Sequence, residues 1–251
     1  MKALFSPATY LMNRFRYPLK FGLIFLIVLV PLLVLSSILI SNMNDKINFI
    51  KNERQGLAYM QTAREPIQYI QQHRALTAAY LSGNKSLRDQ ITQKRDEVES
   101  ALNQLEQMNK KLGSALDTGD RLATIQKQWN HIKAESLSMI PADNMQVHSG
   151  LIQDIISLIG QVADSSQLIL DSVLDSYYLA DALVSKIPAL TEAMGQARTV
   201  GSGIAQIGGF SSESFLRLSI LTNSLHENNH NLRSGLDATF ASNPAVGALL
   251  E

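Results

Sequence analysis

Two arginines offer the clearest chemistry in this chain. Arg74 stands in HRALTAAYLSGNKSLRDQI (residues 73–91) and Arg198 in ARTVGSGIAQIGGFSSESFLRL (residues 197–218), and the two stretches resemble each other. Each has an arginine, small residues over the next two turns, a glycine-containing break and a new polar helix start. Arg74 precedes Gly83 by nine residues and Arg198 precedes Gly208 by ten, with the arginines 124 residues apart. A planar guanidinium donates two parallel hydrogen bonds to a planar oxoanion or a carboxylate. Two such groups converging from related helical hairpins that face each other would form a compact anion pocket. The alternative is that they are surface or salt-bridged arginines, with Glu192 or Asp89 as partner.

Three other groups invite weaker readings. His226, Glu227 and His230 match H-E-x-x-H, which on a helix puts two histidines on one face for zinc with a glutamate as base. Arg233 stands where the extended form of that motif needs glycine, no third histidine follows, and Asn228, Asn229 and Asn231 are poor helix formers. A zinc protease is therefore a minor alternative, and no metal or cofactor is expected. Asp171, Asp175, Tyr177 and Tyr178 read as a helix restart, with Asp171 as N-cap, Asp175 in the first turn and the tyrosines packed inward. Trp129 reads as core, His131 as a stacking candidate, and His148 has no obvious partner.

The elements that position these residues are helical. Aromatic residues make up only 6 % of the chain while hydrophobic residues reach 45 %, which favours helix packing over a strand-rich sandwich. There is no cysteine, so thiolate metal sites, disulfides and cysteine nucleophiles are excluded. Lys plus Arg equals Asp plus Glu at 22 each, against the basic excess of a nucleic-acid binder. That balance is uneven along the chain. Lys2, Arg14, Arg16 and Lys20 fall in residues 1–20 with no acid, leaving 18 basic and 22 acidic residues beyond.

An uncharged run, FGLIFLIVLVPLLVLSSILI (residues 21–40), follows the basic stretch and is long enough to cross a bilayer. It is longer than the apolar part of a signal peptide and lacks a small-residue cleavage pattern. Residues 21–41 are thus expected to be a transmembrane helix, residues 1–20 cytoplasmic, and residues 42–251 a periplasmic domain of an inner-membrane protein. Helical periodicity then predicts that the membrane helix continues outward as a stalk, kinks at Pro66, resumes and stops at residues 82–84. Further helices are expected from about 86 to 113 (closed by Gly113), 120 to 139, 144 to 170, 172 to 207 and 211 to 241. The fold expected is all-α: an elongated antiparallel bundle of about six helices, with two stacked modules as an option. The stripe of Ile91, Val98, Leu102, Leu105 and Leu112 suits either core or a homodimer interface. Residues 42–82 could reach roughly 60 Å and the last helix about 46 Å at the helical rise, so a cytoplasmic signalling domain or partner is expected beyond this chain.

At YIQQHRALTAAYLSGNKSLRDQITQKRDEV (residues 69–98) the sequence resembles the first signature of helical nitrate- and nitrite-sensing (NIT-type) domains: a Gln, an Arg, small residues, a Tyr-Leu pair and a following helix with a basic turn. LDSVLDSYYLADALVSKIPALTEAMGQARTVGSG (residues 170–203) and LFSPATYLMNRFRYPLKF (residues 4–21) are similar to stretches of bacterial methyl-accepting chemotaxis receptors and related transducers. The resemblance implies a homodimeric membrane receptor that is not an enzyme. Its outer domain would bind a small molecule, with an anion as one option, and pass a helix displacement across the membrane. The output would be chemotaxis, with a histidine kinase or diguanylate cyclase as the alternative; a structural helical envelope protein is the rival from another class. The arginine linked to anion recognition falls on Arg74, and Arg198, His73 and Tyr80 join it as candidate ligand-binding residues. Where the pattern has an acidic residue before the arginine, this chain has His73.

Overall fold

The computed structural model describes residues 16–170 and 173–250, and every regular element among them is helical. Lys2, Arg14 and Asp171, with the helix start expected at residue 172, lie outside the described residues. The chain divides into two compact units, Met1–Ile50 and Lys51–Glu251.

Helix α1, Tyr17–Leu81, continues from the apolar run into the expected stalk and on through Pro66. In the first unit it contains an 18-residue window of mean hydropathy 3.2, none of it buried inside the protein. It is the one helix among the described residues long and apolar enough to cross a membrane.

In the second unit α1 becomes amphipathic. Gly56, Tyr59, Met60, Ala63, Pro66, Ile67, Ile70, His73, Arg74 and Thr77 are buried, one stripe at alternating three- and four-residue spacing. Pro66 removes one backbone donor, a cost of about 3 kcal/mol in a helix interior. Burying several large side chains at about 1.5–3 kcal/mol each on either side outweighs it, and the helix continues.

After the turn at Gly83 (φ +118°) and a 3-10 turn at Lys85–Leu87, α2 spans Arg88–Leu116. Gly113 does not end α2 but supplies the acceptor that ends it. Its carbonyl takes the N–H groups of both Asp117 and Thr118, and Asp117 adopts the left-handed conformation (φ 53°). Helix α3 is Gly119–Glu135 and α4 is Pro141–Ser165, with Pro141 at the start of α4, where its missing N–H costs nothing. Tyr59 and Ile70 of α1, Val98 and Leu105 of α2, Ile125 and Trp129 of α3, and Ile155 and Leu158 of α4 share one core. The stripe from Ile91 to Leu105 is therefore core, with Leu112 packed partly buried against it.

The helix expected over 172–207 is divided. Helix α5 (Leu174–Asp181) passes through a π-helical turn (Ala182–Lys186) into α6 (Ile187–Ile207). Pro188 explains the change of winding: it cannot donate back to Val184, and the Ile187 N–H reaches Ala182 O instead. Gly208 (φ +77°) ends α6 in the left-handed conformation that glycine adopts without strain. Ser211 then caps α7 (Ser212–Ser242) in a reciprocal pair with Ser214, and a short α8 (Pro244–Leu250) follows. Helix α7 packs on α5 and α6 and buries only Thr239.

Candidate functional site

Helices α1 and α6 run side by side in the same direction: Gln71 meets Thr191 and Glu192, Arg74 meets Glu192, and Ser82 meets Gln206. Between them lies a buried ion pair. Arg74 has no solvent exposure, and its guanidinium forks onto Glu192, Nη1 to Oε1 at 2.5 Å and Nη2 to Oε2 at 3.2 Å. Nη1 also donates to Ser149 Oγ of α4 at 2.8 Å. Gln71 and Gln196 donate to the two carboxylate oxygens at 3.0 Å and 2.8 Å, so four N–H groups converge on one carboxylate. Arg74 Nε is buried without a hydrogen-bond partner.

Gly195 makes the close approach possible. A Cβ there would sit 3.0 Å from Arg74 Nη2 and 3.3 Å from Gln71 Cδ. Open space lies beyond the residues that ring the pair, on two sides, and is lined by those residues rather than by Arg74 or Glu192. A cavity of about 400 Å³ is lined by Ser149, Gln196 and Arg217, with Met145 and Val200 on its apolar walls. A second, of about 390 Å³, is lined by Gln71, Pro188 and Thr191. The first shares Ala142, Met145, Val200 and Arg217 with a larger groove of about 610 Å³ between the start of α7 and the ends of α1, α4 and α6.

His73, next to Arg74 on α1, faces the four-helix core. Its Nδ1 lies 2.8 Å from His148 Nε2, and His148 Nδ1 lies 2.7 Å from the Asn144 carbonyl. A carbonyl only accepts, so His148 donates from Nδ1, accepts at Nε2, and His73 donates to it from Nδ1. His73 stands edge-on to Trp129 at 5.2 Å, and its Nε2 is buried without a partner. Burial first, then the neighbouring His148 and Arg95, lowers the His73 pKa to about 2. Burial, aided by Arg74, lowers His148 to about 3 against the opposing pull of the Asn144 carbonyl. Both rings are neutral, a packed wall rather than a charged ligand.

The remaining expected residues separate from this site. Arg198 is exposed on α6 and does not converge with Arg74, because α6 turns Glu192, Gly195 and Thr199 inward and leaves Arg198 off that face. Tyr80 lies by the α1–α2 turn, with Lys85 Nζ 4.0 Å over its ring. Asp175, in the first turn of α5, accepts from Asn243 Nδ2 at 2.6 Å, which lowers its pKa and ties α5 to the end of α7. Tyr177 is exposed and stands edge-on to Tyr178 rather than packing inward. His226, Glu227 and His230 are exposed on α7, and no group of three or more potential ligands gathers for a metal among the described residues. Trp129 is core, and His131 pairs with Glu135 at the surface. Gln71, Ser149 and Gln196 carry no signal in the sequence that singles them out, and His148, without an obvious partner there, meets His73.

The family model for nitrate and nitrite sensing matches residues 67–249, a span that takes in Arg74, Ser149, Glu192 and the whole lining of the Ser149 cavity. No curated protein and no solved structure matches the chain.

Proposed function

Because the chain belongs to the nitrate- and nitrite-sensing (NIT) family, we propose that it is the membrane-anchored input domain of a bacterial receptor that binds nitrate or nitrite at Arg74. The observation that carries this reading is the buried Arg74 fork, ringed by the Gln71, Ser149 and Gln196 side chains, each of which also lines a neighbouring cavity. A planar anion of one negative charge matches the two parallel donors of a guanidinium, and a site shielded from water strengthens that attraction. Arg217 lines the approach through the Ser149 cavity and adds a second cation there.

The parent receptor is a methyl-accepting chemotaxis receptor, a reading supported by the sequence likeness of residues 170–203 to such proteins. The apolar window of α1 supports a membrane anchor, and the basic residues before it support a cytoplasmic N-terminus with the sensing helices in the periplasm. The work done is non-catalytic. Anion binding favours one packing of α1 against its neighbours, and α1 is the helix that also carries the apolar span.

Calorimetry of the full chain in lipid nanodiscs tests the reading. At 100 times its dissociation constant, nitrate or nitrite should stabilise the folded state by about 2.7 kcal/mol and raise the unfolding midpoint, and Arg74→Ala should abolish the rise. Failure of both anions to move the midpoint, or an equal rise in Arg74→Ala, would sink the assignment.

A further inference from the structure

We infer that the Glu192 carboxylate is a built-in competitor for the anion site: it occupies the place on Arg74 that a planar oxoanion takes, and the anion binds by displacing it. This inference rests on the nitrate reading above and concerns how that site is regulated.

A carboxylate and a nitrate or nitrite ion present the same recognition unit, two oxygens on a planar centre sharing one negative charge. Glu192 already engages the full donor set that such an ion needs, both Arg74 Nη groups and the side-chain amides of Gln71 and Gln196. Two anions cannot hold the same fork together, because like charges at contact distance disfavour each other. Nor does Arg74 stand unpaired, since an uncompensated buried cation is strongly destabilising. Binding is therefore an exchange of one anion for another, and the charge of the buried cluster is the same before and after.

Glu192 is placed to leave. Its side chain is 10 % exposed where Arg74 is fully covered, and its hydrogen-bond partner Gln71 and chain neighbour Thr191 line an open cavity. Its departure removes the charged link between α1 and α6, leaving neutral contacts such as Gln206 to the Ser82 carbonyl. Glu192 sits just beyond the π-helical turn at Ala182–Lys186, where the winding of the α5–α6 segment already departs from regular α-helix. The exchange thus couples occupancy of the site to how firmly α6 holds α1.

Nitrate titration of the full chain in nanodiscs, by isothermal calorimetry, decides the matter with three variants. Glu192→Gln keeps the size and one acceptor oxygen but loses the charge, so it should bind nitrate at least tenfold more tightly than wild type. Glu192→Asp shortens the reach of the carboxylate while retaining its charge, and should fall between the two. Arg74→Ala should bind no nitrate. Equal or weaker binding by both Glu192 variants, with binding still dependent on Arg74, would overturn the competition and leave the nitrate site standing. Wild-type affinity in Arg74→Ala, or no binding by any variant or wild type, would remove both. Binding by Glu192→Gln alone would mean that Glu192 never yields the fork in the native protein, and would overturn the exchange.

Discussion

Gln206 donates its side-chain amide to the Ser82 carbonyl at 3.0 Å, and the two residues are 124 positions apart, the same offset that separates Arg198 from Arg74. The likeness between the two stretches thus has a spatial counterpart. Their glycine breaks come to the same end of the second unit, with α1 and α6 parallel rather than facing as opposed hairpins. At the arginine level the symmetry fails, because α6 presents Glu192 and Gly195 to Arg74 and sends Arg198 outward. One half contributes the cation and the other contributes its partner.

Breaking that pair should be costly from either side. Arg74→Ala or Glu192→Ala leaves one charge without its counter-charge, for an expected loss of about 3–5 kcal/mol. The partial exposure of Glu192 puts Arg74→Ala toward the lower end, because the carboxylate left behind can reach water. The double replacement Arg74→Met with Glu192→Met removes both charges at similar volume and should recover most of the loss. Calorimetric midpoints of the three proteins check this, and a double variant as unstable as the sum of the single ones would contradict it.

Gly195→Ala separates the site from the fold. The added methyl would press on Arg74 Nη2 and Gln71 Cδ, the far ends of two flexible side chains. Alanine also favours the helix over glycine by about 0.8–1.0 kcal/mol. The expected result is an unfolding midpoint close to wild type with nitrate affinity reduced about tenfold, read from parallel melting and titration curves. Unchanged affinity would mean that the fork needs no such clearance.

The helical class and the apolar span were legible because each depends on local pattern: the 3.6-residue stripe, the uncharged run, the break at Gly83. The sequence offers Glu192 and Asp89 as salt partners without deciding between them, since Glu192 comes 118 residues after Arg74 and only tertiary packing joins the two. His148 looked solitary for the same reason, with His73 lying 75 residues away. The exposure of Arg198 was readable in principle. Pro188, Glu192, Gly195 and Thr199 repeat at four, three and four residues, and Arg198 stands off that stripe. Likeness to Arg74 points to Arg198, whereas the residue that meets Arg74 is Glu192, one of the two salt partners the sequence offers.

Close packing of α1 against the end of α4 gives a prediction independent of the ligand. A Cβ on Gly56 would fall 2.1 Å from Ser166 Oγ and 2.4 Å from Ser166 Cβ. Gly56→Ala should therefore force the helices apart at a cost of about 1–3 kcal/mol. Ser166→Gly removes the opposing side chain, so adding it to Gly56→Ala should be less destabilising than the two changes summed. A double-variant cycle of unfolding midpoints measures that coupling, and strict additivity would argue against the contact.

The buried histidine pair gives the molecule an acid sensitivity whose sign is fixed. In the folded state His73 and His148 hold pKa values of about 2 and about 3, whereas in the unfolded chain an ordinary histidine titrates near 6.5. Below pH 6.5 the unfolded chain binds two protons that the folded chain does not, so folding stability falls as pH falls. Between pH 7 and 5.5 the two sites together should cost about 2–3 kcal/mol, a figure that holds while both folded values stay well below 5. The surrounding charges act in the same direction, since Arg95 bears on His73 and Arg74 on His148. Carboxylates such as Asp175, whose pKa is lowered, become protonated below this window and do not mask it. Calorimetric midpoints at pH 7, 6.2 and 5.5 should decline steadily for wild type. His73→Gln leaves one titrating ring and should show about half the decline. A flat wild-type profile would mean that both imidazoles take up their protons without unfolding, and the neutral, dry packing of His73 against His148 and Trp129 would have to be abandoned.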